Sequence, residues 1–318
     1  MKHYHIAFVG VGSIGKRHLL NVCNLLESRG DTYSIDLYRS DLSNELPESI
    51  TSKVNRQILN NQLLEENTLY DVIFVTNPTS MHRETIKKFA AHTNSFFIEK
   101  PVFDSNTDED AVLIEQTKDV ISYVACPLRY TTALQYVKNH VDVSKAIAVR
   151  AISSSYLPDW RPGQDYRKCY SAHRNLGGGV GIDLIHEWDY ISSFWGLPQI
   201  VYSIQEHISS LEIDSDDIAI YIARSGNTTI ELHLDYFGRS VIRTLEIYMP
   251  DDTIRCDIES GKIEYLKEGR IINLDTERND YQVAEIEHFF DIIDGKIIND
   301  STIEHACNVL KLAKGEKL

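Results

Sequence analysis

A glycine-rich turn follows the first apolar run of the chain and limits the folds that the chain can adopt. Residues Ile6 to Val9 are apolar, and Gly10, Gly12 and Gly15 then give the spacing Gly-x-Gly-x-x-Gly before a segment with helical periodicity. The first glycine permits a tight turn, the second lets backbone amides approach a pyrophosphate, and the third lets the helix pack closely on the sheet. The pattern predicts a βαβ unit that binds a dinucleotide.

Apolar runs alternate with helical segments through the first 125 residues. Strands are predicted at residues 5–9, 34–39, 71–76, 95–98 and 121–125, with helices at 13–27, 80–92 and 108–118 between them. Strands that alternate with helices favour a doubly wound parallel sheet. We therefore predict a Rossmann dinucleotide-binding domain over residues 1–125.

The pattern changes after residue 125. Strand-like segments with alternating polarity occur at residues 145–155, 200–208, 218–223, 228–235, 243–249 and 253–257, and helices are predicted at 281–293 and 301–314. Alternation of this kind is typical of an antiparallel sheet with one face covered. Residues 126–318 are therefore predicted to form an α+β domain.

Composition excludes several classes of partner. The chain of 318 residues has 32 Lys and Arg against 47 Asp and Glu, a net charge of -15, which argues against nucleic acid and anionic membrane surfaces. No apolar stretch approaches the ~18 residues of a membrane span. Five widely separated cysteines suggest neither a disulfide framework nor a zinc site, and the histidine spacing suggests no metal site. A cytoplasmic protein is expected.

The end of the second predicted strand should contact the adenosine ribose. It reads Tyr38, Arg39, Ser40, Asp41, and Asp36 lies inside the strand. A guanidinium and a hydroxyl suit a 2′-phosphate, which favours NADP(H) over NAD(H). In the alternative interpretation Arg39 is solvated and Asp41 binds the ribose.

Lys100 follows a strand at the end where ligands bind in this class of sheet. It lies between Glu99 and Pro101, and the proline restricts the lysine backbone. An ammonium group here can stabilise a developing alkoxide. The alternative is a lysine that is only a surface charge.

Asp183 and His186 follow the glycines at 177–179 and are spaced i and i+3, so they share one face if the segment is a single helix. A histidine can accept the hydroxyl proton when an alcohol is oxidised. The alternative is a capped helix with a buried structural histidine.

The segment 156–171 is dense in aromatic and basic residues. Trp160, Arg161, Tyr166 and Arg167 are candidates for stacking on a sugar ring and for binding an anion, and Arg129 is a second candidate anion holder. The same residue types dominate protein interfaces, so an oligomer contact is the alternative.

In combination, these motifs resemble the Gfo/Idh/MocA family of oxidoreductases over essentially the whole chain. Gly10 to His18 resemble its Gly-x-Gly-x-x-Gly-x-x-His opening, and Glu99 to Pro101 its Glu-Lys-Pro signature. Residues 76–78 with His82 resemble its loop after a strand, and residues 177–189 resemble its catalytic helix. One departure is that the histidine follows the aspartate by three residues, where four is commoner.

The resemblance implies hydride transfer at a sugar or cyclitol carbon, a second domain with a large open sheet that serves substrate binding and oligomerisation, and a homodimer or homotetramer. It implies catalytic roles for Lys100, Asp183 and His186. The predicted cofactor-binding residues are Gly10, Gly12, Ser13, Ile14, Gly15, Arg39, Ser40, Thr76, Asn77, Pro78, His82, Glu99 and Lys100. Residues 158–171 and 186–189 resemble a branch linked to bacterial surface-sugar biosynthesis, which implies a nucleotide-sugar or amino-sugar substrate.

Two other functions stay open from the sequence. One is an enzyme that keeps NAD tightly bound and uses transient oxidation to cleave a glycoside or to epimerise a centre. The other is a cofactor-binding sensor without catalysis, against which Lys100 and His186 argue.

Overall fold

The computed structural model describes residues 1–318, which divide into two compact units. The first unit contains residues 1–125 and 282–306, and the second contains residues 126–281 and 307–318. The sequence prediction gave residues 282–306 to the second domain, whereas in the structure they pack with the first unit.

A six-stranded parallel sheet forms the centre of the first unit. Its strands are β1 His3–Val9, β2 Thr32–Arg39, β3 Arg56–Leu59, β4 Val72–Val75, β5 Ser95–Ile98 and β6 Ile121–Val124. They lie in the order β3-β2-β1-β4-β5-β6, which confirms the predicted doubly wound fold. The edge strand β3 escaped prediction because two of its four residues are polar and it lacks a buried apolar run.

Helices cover this sheet. They are α1 Ser13–Ser28, α2 Glu48–Thr51, α3 His82–Phe89 and α4 Glu109–Gln116, together with most of α8 Arg278–Ile293. Phe289 of α8 is fully buried and packs edge-on against Phe97 with ring centroids 5.3 Å apart, and against Phe74 at 6.1 Å. This aromatic contact explains why a helix late in the chain belongs to the first unit.

The second unit contains an eight-stranded sheet. Its strands are β7 Ala148–Tyr156, β8 Gln199–Glu206, β9 Ile218–Ser225, β10 Thr228–Asp235, β11 Phe237–Tyr248, β12 Thr253–Asp257, β13 Lys262–Tyr265 and β14 Arg270–Asn273. The order is β14-β13-β12-β11-β7-β10-β9-β8, and every pair except β7 with β10 is antiparallel. The predicted, mostly antiparallel sheet is confirmed; β13 and β14 are additional short strands.

The helices of the second unit are α5 Thr132–His140, α6 Val180–Asp183, α7 His186–Trp195 and the larger part of α9 Ile303–Ala313. Trp188 of α7 is fully buried and meets Tyr221 of β9 edge-on, with ring centroids 5.2 Å apart. This contact fixes α7 on one face of the sheet.

No helix in the structure combines the length and the hydropathy of a membrane span.

Candidate active site

Backbone atoms pack closely against each other in the turn between β1 and α1. Gly10 has φ +100°, and a Cβ at this position would lie 2.6 Å from backbone atoms of Asn77. A Cβ on Gly15 would lie 2.7 Å from the carbonyl oxygen of Gly10, whereas one on Gly12 would meet nothing within 4 Å. Two of the glycines therefore permit close packing, and the third leaves open space.

The start of α1 is free of a side-chain cap. Gly12 is the N-cap residue, and no side chain bonds to the first-turn amides. Gly12 and Ser13 are exposed. Because the first N–H groups of a helix have no intrahelical partner and carry partial positive charge, this end can bind an anion.

The loop after β4 is held against this turn. The hydroxyl of Thr76 donates to the carbonyl of Gly10 at 2.8 Å, and the side-chain amide of Asn77 donates to Thr85 at 2.8 Å. The ring of His82 is almost fully buried, 3.0 Å from the carbonyls of both Asn77 and Val102. Burial lowers the pKa of His82, so a neutral ring donates to one of these carbonyls at a time.

Arg39 lies at the end of β2, and its guanidinium is already oriented by the protein. Its Nη1 donates to Gln57 at 2.7 Å and its Nη2 donates to the carbonyl of Asn44 at 2.5 Å. Only 7% of the residue is exposed, which contradicts the alternative of a solvated arginine. Ser40 and Asp41 beside it are exposed.

The carboxylate of Asp36 is used inside the sheet. It accepts hydrogen bonds from Arg56 at 2.9 Å and from the Tyr70 hydroxyl at 2.8 Å. Burial would raise the pKa of Asp36, but the hydrogen bonds from Arg56 and Tyr70 outweigh it and lower the pKa. The Asp36 carboxylate is therefore engaged in a hydrogen-bond network with Arg56 and Tyr70 at the β2–β3 edge of the sheet.

Glu99 and Lys100 directly follow β5. One carboxylate oxygen of Glu99 contacts Nε2 of His18, and the other accepts the backbone N–H of Lys100 at 3.2 Å. The Lys100–Pro101 peptide bond is cis. The sequence did not indicate that the histidine of the glycine motif and the glutamate before the lysine would meet.

In the second unit, Asp183 and His186 do not lie on one helix. Asp183 ends α6 and His186 begins α7, with Leu184 and Ile185 in a turn between them. The predicted single helix is therefore wrong. Leu184 takes φ −95° and ψ +33°, outside the helical region, so helical i, i+3 spacing does not describe this pair.

Asp183 is buried and held by tyrosine. The Tyr236 hydroxyl donates to its carboxylate at 2.5 Å, and Asp183 is only 5% exposed. Burial and the nearby charge of Asp183 raise the pKa values of both Tyr236 and Tyr170, so both hydroxyls stay protonated at neutral pH. Tyr236 follows β10, and its role was missed because nothing local in the sequence pairs it with Asp183.

Arg129 forms a two-point ion pair with a carboxylate of the same unit. Its Nε and Nη2 donate to the two oxygens of Asp189 at 2.8 and 2.7 Å. Arg129 is 8% exposed. The structure therefore gives this predicted anion holder a protein carboxylate as partner, and a substrate role for it stays a prediction.

The aromatic and basic segment folds over a pocket. The pocket has about 270 Å³ of free volume, part of it open to solvent, and its lining includes Trp160, Arg161, Gln164, Tyr166 and Cys169. The Trp160 ring packs edge-on against Tyr236 with centroids 5.3 Å apart. Tyr236 also donates a hydrogen bond to Asp183, so the Tyr236 side chain connects Trp160 of the pocket to the proposed catalytic carboxylate.

Arg167 does not line this pocket. Its guanidinium donates to Asp165 at 2.8 Å and to Glu212 at 2.9 Å. Its sequence neighbour Tyr166 accepts the backbone N–H of Glu212 through its hydroxyl at 3.2 Å. Arg167 therefore ties the segment to residue 212, whereas Arg161 lies at the pocket and over the Tyr170 ring, 5.6 Å from its centroid.

No group of three or more His, Cys, Asp or Glu side chains is arranged to hold a metal ion.

Comparison with known proteins finds a family match for the first part of the chain. Residues 4–125 match the model of the Gfo/Idh/MocA family, described as an oxidoreductase family with an NAD-binding Rossmann fold. This match confirms the resemblance predicted from the sequence. No curated protein matches the chain significantly.

Solved structures share the fold along the whole chain. A UDP-N-acetylglucosamine 3-dehydrogenase from Acidithiobacillus ferrooxidans is 19% identical, with a TM-score of 0.74 over 100% of this chain and 97% of that one. A levoglucosan dehydrogenase in complex with NADH is 15% identical, with a TM-score of 0.81 over 98% and 95%. An oxidoreductase from Agrobacterium radiobacter in complex with NAD+, L-tartaric acid and magnesium is 16% identical, with a TM-score of 0.77 over 98% and 95%. Identities this low show a common fold.

Proposed function

We propose, from the family match of residues 4–125, that this protein is a nicotinamide-dependent oxidoreductase that interconverts a hydroxyl and a keto carbon of a sugar, amino sugar or nucleotide sugar. The observation that carries the proposal is the glycine turn between β1 and α1. It combines an uncapped helix N-terminus with open space at Gly12, which is what a pyrophosphate requires.

The residues present fit a nicotinamide dinucleotide. The backbone of Gly10, Gly12, Ser13, Ile14 and Gly15 would hold the pyrophosphate, with the loop of Thr76, Asn77 and Pro78, braced by His82, beside it and Glu99 and Lys100 at the next strand end. When bound, the nicotinamide ring accepts or supplies the hydride.

Three side chains are the proposed catalytic residues. Lys100 carries an ammonium that stabilises negative charge on the reacting oxygen, and His186 accepts the hydroxyl proton during oxidation. Asp183, which accepts a hydrogen bond from the Tyr236 hydroxyl, is the third member of this set. In the reverse direction His186 returns the proton to the carbonyl oxygen.

Between the two dinucleotides, we propose NADP(H). Arg39 uses two of its five N–H donors on Gln57 and Asn44, which leaves donors for a phosphate in an already oriented guanidinium. The exposed Ser40 adds a hydroxyl. The alternative is NAD(H), with Asp41 on the ribose, and the levoglucosan dehydrogenase of similar fold was solved with NADH.

The pocket beside Trp160 is the proposed substrate subsite. Trp160 and Tyr166 supply aromatic surface for a sugar ring, and Arg161 supplies positive charge in a chain of net charge -15. A nucleotide sugar combines both chemistries. The name of the UDP-N-acetylglucosamine 3-dehydrogenase of similar fold makes UDP-N-acetylglucosamine the first compound to test.

A homodimer or homotetramer is part of the proposal. The sheet of the second unit exposes large apolar side chains, among them Val201 at 68%, Tyr202 at 60% and Val241 at 69%. Exposed apolar side chains mark an interface where they form a contiguous patch, and these residues are the first candidates for one. Light scattering on the purified chain measures the mass directly.

Turnover and cofactor binding test the proposal separately. NADH and NADPH binding is followed by nicotinamide fluorescence, and turnover by nicotinamide absorbance with UDP-N-acetylglucosamine and a panel of free sugars. Lys100→Ala and His186→Ala are each expected to lower turnover roughly 100-fold or more with nearly unchanged cofactor affinity, because each removes an acid–base or electrostatic contribution. Exposed Lys118→Ala is the control. Near-normal turnover in both variants would reject these catalytic residues.

A further inference from the structure

Glu99 connects the helix of the glycine turn to the backbone of Lys100. Its Oε2 accepts the Lys100 N–H at 3.2 Å, directly after β5. Its Oε1 contacts Nε2 of His18, which lies on α1. Both carboxylate oxygens therefore have a partner, and one of those partners is the residue proposed to act on the substrate.

The His18 side chain is buried next to Glu99. It is 1% exposed, and its ring packs edge-on against Phe97 with centroids 5.0 Å apart. Its Nδ1 is buried and has no hydrogen-bond partner. A buried N–H without a partner is rarer than a buried acceptor without one, so the proton belongs on Nε2. With the proton on Nε2, His18 donates to Oε1 of Glu99 and holds this carboxylate in place.

The carboxylate of Glu99 also interacts with groups beyond its hydrogen-bond partners. Three groups interact electrostatically with this carboxylate: His18 of α1, His82 of α3 and Lys100 of its own segment. Burial would raise the pKa of Glu99, but the hydrogen bond from His18 and the charges around it, Lys100 included, lower the pKa. Two charges that attract each other stabilise each other's ionised forms, so Glu99 favours the ammonium form of Lys100.

We propose that Glu99, oriented by His18, is a positioning residue that fixes the Lys100 backbone at the end of β5 and keeps the Lys100 amine charged. The inference rests on the proposed function, in which an ammonium at Lys100 stabilises charge on the substrate oxygen. It assigns to the glutamate a role beyond binding the dinucleotide, and to the histidine of the glycine motif a role in the reaction.

Reductive methylation of Lys100 tests this without a substrate. Only the unprotonated amine reacts with formaldehyde and cyanoborohydride. Mass spectrometry gives the methylated fraction of the peptide that contains Lys100 at each pH, and the midpoint of this curve reports the protonation of the Lys100 amine. Glu99→Gln keeps the shape and removes the charge, and it is expected to lower this midpoint by about one pH unit. Glu109→Gln, an exposed carboxylate on α4 that pairs with Lys87, is the matched control and should leave the midpoint in place.

Thermal unfolding shows which variants fold. If Glu99→Gln does not fold, Glu99→Ser, with room for a water molecule, is the second neutral variant, and the same lowering is expected. A midpoint for Lys100 that stays at the wild-type value in a folded neutral variant would overturn the proposal.

Turnover with UDP-N-acetylglucosamine tests the positioning part. Glu99→Gln is expected to lower kcat about tenfold and to change the NADH Kd less than twofold. His18→Gln keeps an N–H donor and should retain more of kcat than His18→Leu; equal kcat in these two variants would contradict the role of His18.

The two proposals fail in different ways. Unchanged turnover in Lys100→Ala defeats the proposed function. An inactive Lys100→Ala together with an unshifted midpoint in Glu99→Gln defeats only the role of Glu99.

Discussion

The two units build their polar sites from different parts of the chain. In the first unit the turn at Gly10 is made of backbone atoms, and the side chains around it, such as Thr76, bind backbone carbonyls. In the second unit the site is made of paired side chains: Asp183 with Tyr236, 53 residues apart, and Arg129 with Asp189, 60 residues apart.

This difference explains what a sequence reveals. A backbone site needs glycine at fixed spacing, so it is visible within six residues. A side-chain site needs partners that only the folded sheet brings together, so each partner alone resembles any other tyrosine or aspartate. Five substitutions test whether the backbone site of the first unit and the side-chain site of the second unit respond differently to mutation.

The largest effect is expected at Gly10. Alanine there must adopt φ +100° and place its Cβ 2.6 Å from the backbone of Asn77, so the free energy of unfolding should fall by at least about 3 kcal/mol. Gly30 has φ +72° with open space around it, and Gly30→Ala should cost only about 1–2 kcal/mol. Denaturant unfolding of both variants measures the difference; equal losses would show that the close approach to Asn77 is unimportant.

Gly12→Ala should separate binding from folding. A Cβ here meets nothing within 4 Å and the residue has φ −64°, so stability should change by less than about 0.5 kcal/mol. The methyl group enters the space proposed for the pyrophosphate, and NADH and NADPH should both bind roughly tenfold to hundredfold more weakly. Fluorescence titration measures this, and unchanged affinity would place the dinucleotide elsewhere.

Arg39→Ala tests a side chain of the first unit that is proposed to distinguish the two dinucleotides. NADPH binding should weaken by about 1.5–3 kcal/mol, the scale for hydrogen bonds to charged groups, while NADH binding barely changes. The two dinucleotides are each other's control in the same titration. Equal losses would mean that Arg39 only holds Gln57 and Asn44 in place.

Tyr236→Phe removes one donor from the buried Asp183 carboxylate. The free energy of unfolding should fall by about 1–2 kcal/mol, and turnover should fall roughly tenfold because the carboxylate is less firmly held. Tyr248 also donates to a carboxylate, that of Glu246 at 2.7 Å, on the same sheet. Tyr248→Phe is the matched control for turnover, and an equal drop in both variants would assign Tyr236 to stability alone.

The smallest effect is expected on the pocket segment. Arg161→Ala should raise the KM for a nucleotide sugar roughly threefold to tenfold, because Arg161 lines the pocket. Arg167→Ala should change KM less than about twofold, because that guanidinium is already bound to Asp165 and Glu212. If size-exclusion chromatography instead shows dissociation with constant KM, the segment is an oligomer contact.

Much of the fold was predictable because hydrophobic patterning is local. The fully buried run Val72–Val75 and the alternation in Thr228–Asp235 identified β4 and β10. The short strands β3, β13 and β14 were missed because each has four residues and no continuous apolar run. The placement of α8 with the first unit depends on Phe289 meeting Phe97, which periodicity does not encode.

The glycine turn, the alternation of strands and helices, and the position of Lys100 after a strand could be read from the order of residues, because each depends on near neighbours in the chain. The break between Asp183 and His186, the hydrogen bond from Tyr236 to Asp183, and the contact of His18 with Glu99 arise only when the whole chain packs. These depend on which buried polar groups find partners when strands and helices pack, and a buried polar group without a partner costs about 1–3 kcal/mol. The packed sheet therefore selects the pairs, and the order of residues along the chain does not reveal them.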